Sequence, residues 1–357
     1  MNAFAVIHPG LEGVVQAELA TLGVQGEVVG GGVRFEADAA RVARLARTMR
    51  TPSQLLVELV SGTAKSPDQL TGLLRRVPWK ALVHPLAKID VEVTSRQSAV
   101  RFRDVAARAA GHTIKECLKG PFVPDKEPRP QLAQQVQIRI DNDVATVSLD
   151  AGGDLLHRRG WRTDSVKAPL RENLAACLIW LADWRGDRPL VDPFCGSGTI
   201  PIEAALLAAG RPPFGRRRFA CDEWRGLSRE AIRVVPVATG APISGSDHHA
   251  PSVLAAQANA QRAGVKVSFR HLQVSDIEPT GVAGTVVTNP PYGSRLGASV
   301  APVYSHFGRA LRERFSGWTA VFLSPQPDFA MRVDRGAERL AHFKNGGIPV
   351  GVWAVRV

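Results

Sequence analysis

The sequence predicts an α/β protein whose C-terminal half is a doubly wound, mostly parallel sheet, preceded by two smaller α+β units. In the C-terminal half, short apolar runs alternate with helical patterns, which is the signal for parallel strands joined by crossover helices. Residues 1–61 instead follow the order β-α-β-β-α-β, which is typical of a split β-α-β, or ferredoxin-like, unit. The chain has 357 residues, 45% of them hydrophobic, which is enough for two or three such domains.

Alternation, helical spacing and turn residues define the elements of the front half, residues 1–155. The predicted strands are 3–8, 25–29, 32–36, 53–61, 89–95, 136–141 and 144–150, and the predicted helices are 11–22, 39–48, 67–76 and 101–118. In the last of these helices the spacing turns four apolar side chains inward: Val105, Ala109, Ile114 and Leu118. Residues 120–130 are rich in proline and charge and are predicted as a loop.

The back half begins with a basic segment, residues 157–162, which we interpret as the hinge between the halves. Helices are predicted at 168–184, 200–209, 250–263 and 303–314, and strands at 190–191, 243–247, 267–271, 285–288, 318–324 and 351–357. An insertion rich in arginine and proline, residues 211–237, interrupts the alternation.

The chain is strongly basic, with 45 Lys and Arg against 33 Asp and Glu and a formal net charge of +12. Such a charge attracts polyanions, so nucleic acid is the expected partner. Basic residues gather along 62–155, where they predict a face that follows a phosphate backbone: Arg75, Arg76, Lys80, Arg96, Arg101, Arg103, Arg108, Lys115 and Lys119. The sequence has no apolar run of membrane-spanning length, and its four cysteines lack CxxC spacing. We expect a cytoplasmic monomer that binds no membrane and needs no metal.

Four consecutive strand ends in the back half each carry a polar group. The first strand runs into an Asp-x-x-x-Gly-x-Gly loop, residues 192–198, and then a helix. Such a loop admits close backbone approach and offers a helix N-terminus to an anion, although it matches neither the P-loop nor the full dinucleotide pattern. Asp247 follows the second strand, where it is placed to accept from ribose hydroxyls, and Asp276 follows the third, where it can accept from an adenine amino group. Each Asp also has an ordinary interpretation as a helix cap or a solvated loop residue.

The fourth strand ends in Asn289-Pro290-Pro291-Tyr292. Two prolines cannot continue a sheet ladder, so the strand stops there in a stiff, extended turn. The turn carries an amide and an aromatic ring, which together can hold a flat, hydrogen-bonding substrate such as a base. A simple strand stop is the alternative, but four polar strand ends on one edge favour a ligand site.

This array resembles the class I S-adenosylmethionine-dependent methyltransferases that carry an amino-methylating Asn-Pro-Pro-Tyr motif. More narrowly, the chain resembles the THUMP-domain RNA guanine-N2 methyltransferases. The resembling stretches are 157–162, 168–176, 192–205, 245–247 and 288–297, while residues 1–155 fit the family more loosely. The insertion at 211–237 is more similar to the branch that acts on bacterial 23S rRNA than to the shorter tRNA enzymes.

The resemblance implies a ferredoxin-like domain at 1–61, a THUMP RNA-binding domain at 62–155, a linker at 156–167 and a Rossmann-like methyltransferase domain at 168–357. It implies S-adenosyl-L-methionine as the cofactor, bound by Asp192, Phe194, Gly196, Gly198, Thr199, Asp247, Asp276 and Asn289. The substrate motif, in catalytic roles, is Asn289, Pro290 and Tyr292. Cys195 is interpreted as a small buried filler rather than a nucleophile.

The implied function is formation of N2-methylguanosine in structured RNA, with 23S rRNA as the main target and tRNA as the alternative. DNA adenine and protein glutamine methyltransferases use a similar turn because their substrates are also planar amino groups. The small basic N-terminal units argue against a protein substrate. A non-catalytic RNA-binding assembly factor with this fold is a further alternative, against which the intact glycine loop, Asp247 and Asn289 argue.

Overall fold

The computed structural model describes residues 1–119, 130–164, 170–215, 217–225, 240–292 and 300–357. Several sequence-based predictions fall partly or wholly outside these ranges: the loop at 120–129, the helix start at 168–169, the insertion beyond 225 and the motif residues 293–297.

The front half forms one seven-stranded sheet of order β2-β3-β1-β4-β7-β6-β5. Its strands are β1 (Asn2–Val6), β2 (Gly26–Val29), β3 (Gly32–Glu36), β4 (Gln54–Thr63), β5 (Ile89–Arg96), β6 (Gln134–Asp141) and β7 (Val144–Asp150), with helices α1 (Glu12–Thr21), α2 (Ala39–Thr48), α3 (Pro67–Arg75), α4 (Trp79–Leu82) and α5 (Arg103–Leu118). The first four strands with α1 and α2 confirm the ferredoxin-like unit. β4 pairs with β1 through residues 54–57 and with β7 through residues 56–63, so the two small units share a sheet.

Local sequence signals explain three of these boundaries. Asp38 caps α2, because its side chain accepts the backbone N–H of Arg41 at 2.7 Å. Gly23, with φ of 72°, follows the C-cap residue Leu22 and ends α1 in the left-handed conformation. Asn142 and Asp143 have φ of 49° and 62°, which is the two-residue hairpin turn that joins β6 to β7.

The inward face of α5 differs from the prediction. Ile114 and Leu118 are buried as expected, but Val105 is 47% exposed, and Ala106 and Ala110 are fully buried instead. The small alanines let α5 approach α3 and β5 closely, so its apolar stripe passes through them, and Val105 lies about 100° away around the helix.

The back half forms a second seven-stranded sheet of order β10-β9-β8-β11-β12-β14-β13. Its strands are β8 (Leu190–Asp192), β9 (Ile243–Asp247), β10 (Ser268–His271), β11 (Thr285–Thr288), β12 (Thr319–Ser324), β13 (Glu338–Asn345) and β14 (Ile348–Arg356), with helices α6 (Glu172–Leu181), α7 (Thr199–Ala208), α8 (Ala250–Ala263), α9 (Ala301–Arg314) and α10 (Pro327–Val333). The first five strands are mutually parallel, and β14 pairs antiparallel with both β12 and β13. This Rossmann-like sheet confirms the predicted fold class.

Three elements of the back half differ from the prediction. β13 and α10 were not predicted, because β13 is an edge strand with few buried side chains and α10 is short. Helix α6 is shorter than predicted, since Arg171 has an extended ψ of 145° and Asp183 has a φ of 47°, so neither can belong to it.

Buried charges join the halves at the segment interpreted as a hinge. The Arg159 side chain is fully buried, and its Nε donates to Glu203 Oε1 on α7 at 3.1 Å. It also donates to the backbone carbonyls of Leu156 and Arg50, and its guanidinium lies 4.7 Å from the centroid of the Phe214 ring. Arg159 is therefore packed at the junction of the two halves.

The described part of the insertion also packs against the front half. The side chains of Phe214, Phe219 and Trp224 are buried. Trp224 Nε1 donates to Gln134 Oε1 on β6 at 3.0 Å. The described part of the insertion is thus fastened to the front sheet at β6.

Candidate active site

The sheet order brings the carboxyl ends of β9, β8 and β11 side by side. The chain runs from β8 outward to β10 on one side and returns to β11 on the other, so the sheet reverses its order between β8 and β11. In open α/β sheets ligands bind outside the carboxyl ends at such a point. A hydrogen bond of 2.5 Å, from Thr288 Oγ1 to Asp192 Oδ1, joins the ends of β11 and β8.

The glycine loop between β8 and α7 depends on left-handed backbone. Gly196 and Gly198 have φ of 52° and 85°, a region that favours glycine. A side chain at 198 would also approach Ala256 at 3.0 Å. The N–H of Cys195 donates to the Ser246 carbonyl at 2.9 Å, so the loop is fastened to β9.

Asp192 is almost fully buried at the end of β8. Its Oδ1 accepts the Thr288 hydroxyl and the Phe194 N–H, the latter at 3.1 Å. Burial raises the pKa of Asp192 to about 7, and the nearby charge of Asp247 adds to the effect. The carboxyl group therefore titrates near neutral pH.

Asp247 fastens the glycine loop to the next strand. Its Oδ2 accepts the N–H of Gly196 at 3.0 Å, and its Oδ1 accepts the N–H of His249 at 2.9 Å. A carboxylate offers about four acceptor positions, and the His248 ring nitrogen also lies 3.4 Å from Oδ1, so Oδ2 is the oxygen that retains capacity for a further donor. The arrangement suits a ligand with two adjacent hydroxyl groups.

Ser197 adds a second polar group to the loop. Its Oγ is buried and has no hydrogen-bond partner within the described ranges. Its backbone carbonyl accepts from the fully buried Asn259 Nδ2 at 3.0 Å, which fixes the loop against α8. Buried polar groups are normally paired, so this hydroxyl in the loop is available to a ligand.

The remaining candidates are more scattered. Thr199 begins α7 and is buried, and Asp276 is exposed in a short turn after β10, where it accepts from Ser275 Oγ at 3.0 Å. The Phe194 ring packs edge-to-face on Phe307, with centroids 5.6 Å apart. The structure thus bonds Asp247 to Gly196 and places Asp192 at the start of the same loop, where it accepts the Phe194 N–H. Among the described residues it shows no contact of the Phe194 ring or Asp276 with these groups.

Cys195 is buried, and burial raises the pKa of its thiol well above the ordinary value, with the charges of Asp192 and Asp247 adding to the shift. The thiol stays protonated, which is consistent with a filler role.

The Asn289–Tyr292 turn presents an unused acceptor. Asn289 Oδ1 is buried and has no hydrogen-bond partner among the residues that the structure describes. Leaving such an atom unpaired costs about 1–3 kcal/mol, so its retention calls for an explanation. The Tyr292 hydroxyl accepts from Asn345 Nδ2 at 2.6 Å. Burial raises the pKa of Tyr292, and this hydrogen bond partly offsets the rise.

Four residues of this site were missed by the sequence reasoning. Ser197 stands at an unspecified position of the Asp-x-x-x-Gly-x-Gly pattern. Thr288 precedes the Asn-Pro-Pro-Tyr turn, and its position opposite Asp192 follows once β8 and β11 are paired. Asn259 and Asn345 carry no local signal, because their partners lie 62 and 53 residues away in sequence.

No helix in the described ranges is long and apolar enough to cross a membrane. The same ranges contain no group of three or more His, Cys, Asp or Glu side chains placed to hold a metal ion.

Known proteins resemble this chain over nearly its whole length. A ribosomal RNA large subunit methyltransferase K/L from Chromohalobacter salexigens is 35% identical over 94% of the chain and 50% of that protein. YpsC of Bacillus subtilis, whose name proposes an RNA methyltransferase, is 33% identical over 95% of the chain and 91% of YpsC. The crystal structure of SMU.472 in complex with SAH superimposes with a TM-score of 0.90 at 27% identity, covering 99% of this chain and 97% of SMU.472.

The chain spans about half the length of the K/L relatives that it matches. Residues 2–56 match the family model described as the RlmL ferredoxin-like domain. Residues 159–352, more than half of the chain, match the model described as UPF0020, RMKL-like, methyltransferase domain. By these matches the chain belongs to the UPF0020 family of RMKL-like methyltransferases.

Proposed function

We propose that this chain is an S-adenosyl-L-methionine-dependent methyltransferase that methylates the N2 amine of guanine in 23S rRNA. The main support is that Asn289 Oδ1, at the carboxyl end of β11, is a buried acceptor without a partner in the described structure. It lies one residue beyond Thr288, which is hydrogen-bonded to Asp192 beside the glycine loop. Membership of a methyltransferase family supports the reaction type.

The residues at the strand ends fit the cofactor. Asp192, Gly196 and Gly198 would hold its methionine end, where the loop offers left-handed backbone and the orphan Ser197 hydroxyl. Asp247 would bind its ribose through the spare acceptor capacity of the carboxylate.

Three further cofactor contacts complete the proposal. Asp276 would accept from the adenine amino group, while Phe194 and Thr199 would shape the loop around the methionine end. When bound, the cofactor supplies an electrophilic methyl group on a sulfonium.

The substrate side depends on hydrogen-bond acceptors. The guanine amino group is a poor nucleophile, because its lone pair is delocalised into the ring. Asn289 Oδ1 and the Pro290 carbonyl would each accept a hydrogen bond from one of its two N–H groups. This favours tetrahedral geometry at nitrogen and exposes the lone pair. Orientation and charge stabilisation then lower the barrier. An amide is not a base, so the proton leaves to another acceptor after methyl transfer.

Tyr292 would stack on the target base, a contact worth about 1–3 kcal/mol. The N2 group lies on the Watson–Crick edge, so the nucleotide must be unpaired or extruded from its helix before it enters the site.

The front half would hold the RNA. The nine basic side chains identified along 62–155 are all exposed, as a phosphate-tracking face requires. We assign residues 62–155 to a THUMP domain that grips structured RNA largely by shape. We further propose that the chain is a monomer in the cytoplasm, where the four free cysteines stay reduced.

Methyl transfer from tritiated S-adenosylmethionine tests the proposal. The full chain is incubated with unmodified 23S rRNA, 16S rRNA, tRNA and DNA, and each product is digested to nucleosides. Label in N2-methylguanosine of 23S rRNA is the expected result. Label in guanosine of tRNA would move the target to tRNA. Label in adenine, in added protein or in none of the substrates would refute the guanine assignment.

A further inference from the structure

Asn345 ties the substrate turn to an edge strand of the back sheet. It is the last residue of β13 and donates to the Tyr292 hydroxyl at 2.6 Å. β13 is antiparallel to β14, and β14 is antiparallel to β12, so β13 runs in the same direction as β11 and ends at the same edge. The chain from Asn289 to Tyr292 therefore crosses the strand ends and is fastened on the far side.

The front half touches the same strand. Gly10, in the turn between β1 and α1, packs so closely on β13 that a side chain there would collide with the His342 carbonyl oxygen. Its φ of +98° also disfavours any other residue. The His8 ring lies edge-on to Phe343, with ring centroids 6.2 Å apart. Phe343 and Asn345 are two residues apart on one strand, so they point to the same face.

We propose that Asn345 is a positioning residue that fixes the Tyr292 ring for the target base, and that the His8–Gly10 turn of the front half holds β13 in place for this purpose. The inference rests on the proposed function, in which Tyr292 stacks on guanine. The ferredoxin-like unit would then belong to the substrate pocket as well as to the RNA grip.

The position of the hydrogen bond on the ring supports this role. The hydroxyl is the point of the tyrosine side chain farthest from the backbone, so a bond there restrains the direction of the whole ring. A ring already restrained loses less side-chain entropy when a base stacks on it. Loss of the bond should therefore weaken substrate binding and leave cofactor binding unchanged.

Fluorine NMR measures the restraint directly, because the chain contains two tyrosines, Tyr292 and Tyr304. Protein labelled with 3-fluorotyrosine gives two resonances, which Tyr292→Phe assigns. Asn345→Ala should shift and sharpen the Tyr292 resonance and leave that of the fully buried Tyr304 in place as an internal report of folding. Lys344→Ala, which removes the neighbouring exposed side chain, should leave both resonances unchanged.

Two further variants extend the measurement. Asn345→Asp keeps a hydrogen-bond partner for the hydroxyl, so it should leave Tyr292 closer to its wild-type shift than Asn345→Ala does. Gly10→Ala should move Tyr292 but not Tyr304. An unchanged Tyr292 resonance in Asn345→Ala would overturn the inference. An unchanged Tyr292 resonance in Gly10→Ala would refute the role of the His8–Gly10 turn in holding β13.

Kinetics separate positioning from general packing. Asn345→Ala should raise KM for RNA about fivefold to tenfold, as expected for one lost hydrogen bond, with unchanged affinity for S-adenosylmethionine. In a Tyr292→Phe background the same change should have no further effect. Fully additive losses in the double variant would contradict the coupling. If wild-type protein methylates no guanine, the proposed function fails, whereas the NMR result judges the Asn345–Tyr292 restraint on its own.

Discussion

The junction between the halves can be tested by truncating one of two adjacent arginines. Arg159 is fully buried and paired with Glu203, whereas the side chain of its neighbour Arg158 is 64% exposed and pairs with Asp154 at 3.1 Å. Arg159→Ala removes one partner of a buried ion pair, and Arg158→Ala removes one partner of an exposed pair.

The expected magnitudes differ severalfold. Breaking a buried pair by removing one partner costs about 3–5 kcal/mol, because the remaining charge is left in a poorly solvated place. In Arg159→Ala, Glu203 keeps Arg50 at 3.6 Å, and two backbone carbonyls lose their donors. The remaining partner lowers the cost and the unpaired carbonyls raise it, so we expect a loss within that range. An exposed pair contributes about 0–1 kcal/mol, so Arg158→Ala should be almost neutral.

Urea denaturation of the full-length variants, followed by tryptophan fluorescence and circular dichroism, measures both losses. If the junction couples the halves, wild type unfolds in one transition and Arg159→Ala moves the midpoint down or splits the transition in two. Equal stabilities for Arg159→Ala and Arg158→Ala would refute the role of the buried pair.

Two further predictions concern the carboxylates of the site. Burial raises the pKa of folded Asp192 to about 7 from 3.8, so ionisation destabilises the fold increasingly as pH rises from about 4 and to its full extent above about 7. In urea denaturation, Asp192→Asn should therefore be as stable as wild type near pH 4. As pH rises, its free energy of unfolding should exceed that of wild type by at most about 1.4 kcal/mol more per pH unit, and the difference should level off above pH 7. A difference that does not depend on pH would contradict the raised pKa. Asp247→Ala should weaken S-adenosylmethionine binding about tenfold or more in calorimetry, since hydrogen bonds to a charged group contribute about 1.5–3 kcal/mol, and equal affinity would refute the ribose role.

Most of the back sheet could be predicted because its central strands are buried on both faces. Such strands appear as short apolar runs between turn residues, as at β8 and β11. β13 was not predicted, because Phe343 is its one fully buried side chain and the strand therefore shows little hydrophobic pattern. The inward face of α5 was misjudged because alanine at 106 and 110 carries a weak apolar signal, although its small size decides the packing.

The candidate site shows the same limit. Polar residues at strand ends could be identified from the sequence, because the topology of a parallel sheet brings those ends together. The partners of those residues could not: the bonds from Asn345 to Tyr292 and from Arg159 to Glu203 join distant segments through side chains with no sequence periodicity.

Methyl transfer by Asn289→Ala under single-turnover conditions, with saturating S-adenosylmethionine, tests the central claim most directly. Loss of the acceptor should slow N2-methylguanosine formation about 10²- to 10³-fold, in line with other lost stabilising groups of active sites, while calorimetry still shows cofactor binding. Asn289→Asp, which keeps an acceptor oxygen, should lose less. Wild-type turnover in Asn289→Ala would contradict the claim that this amide orients the reacting amine.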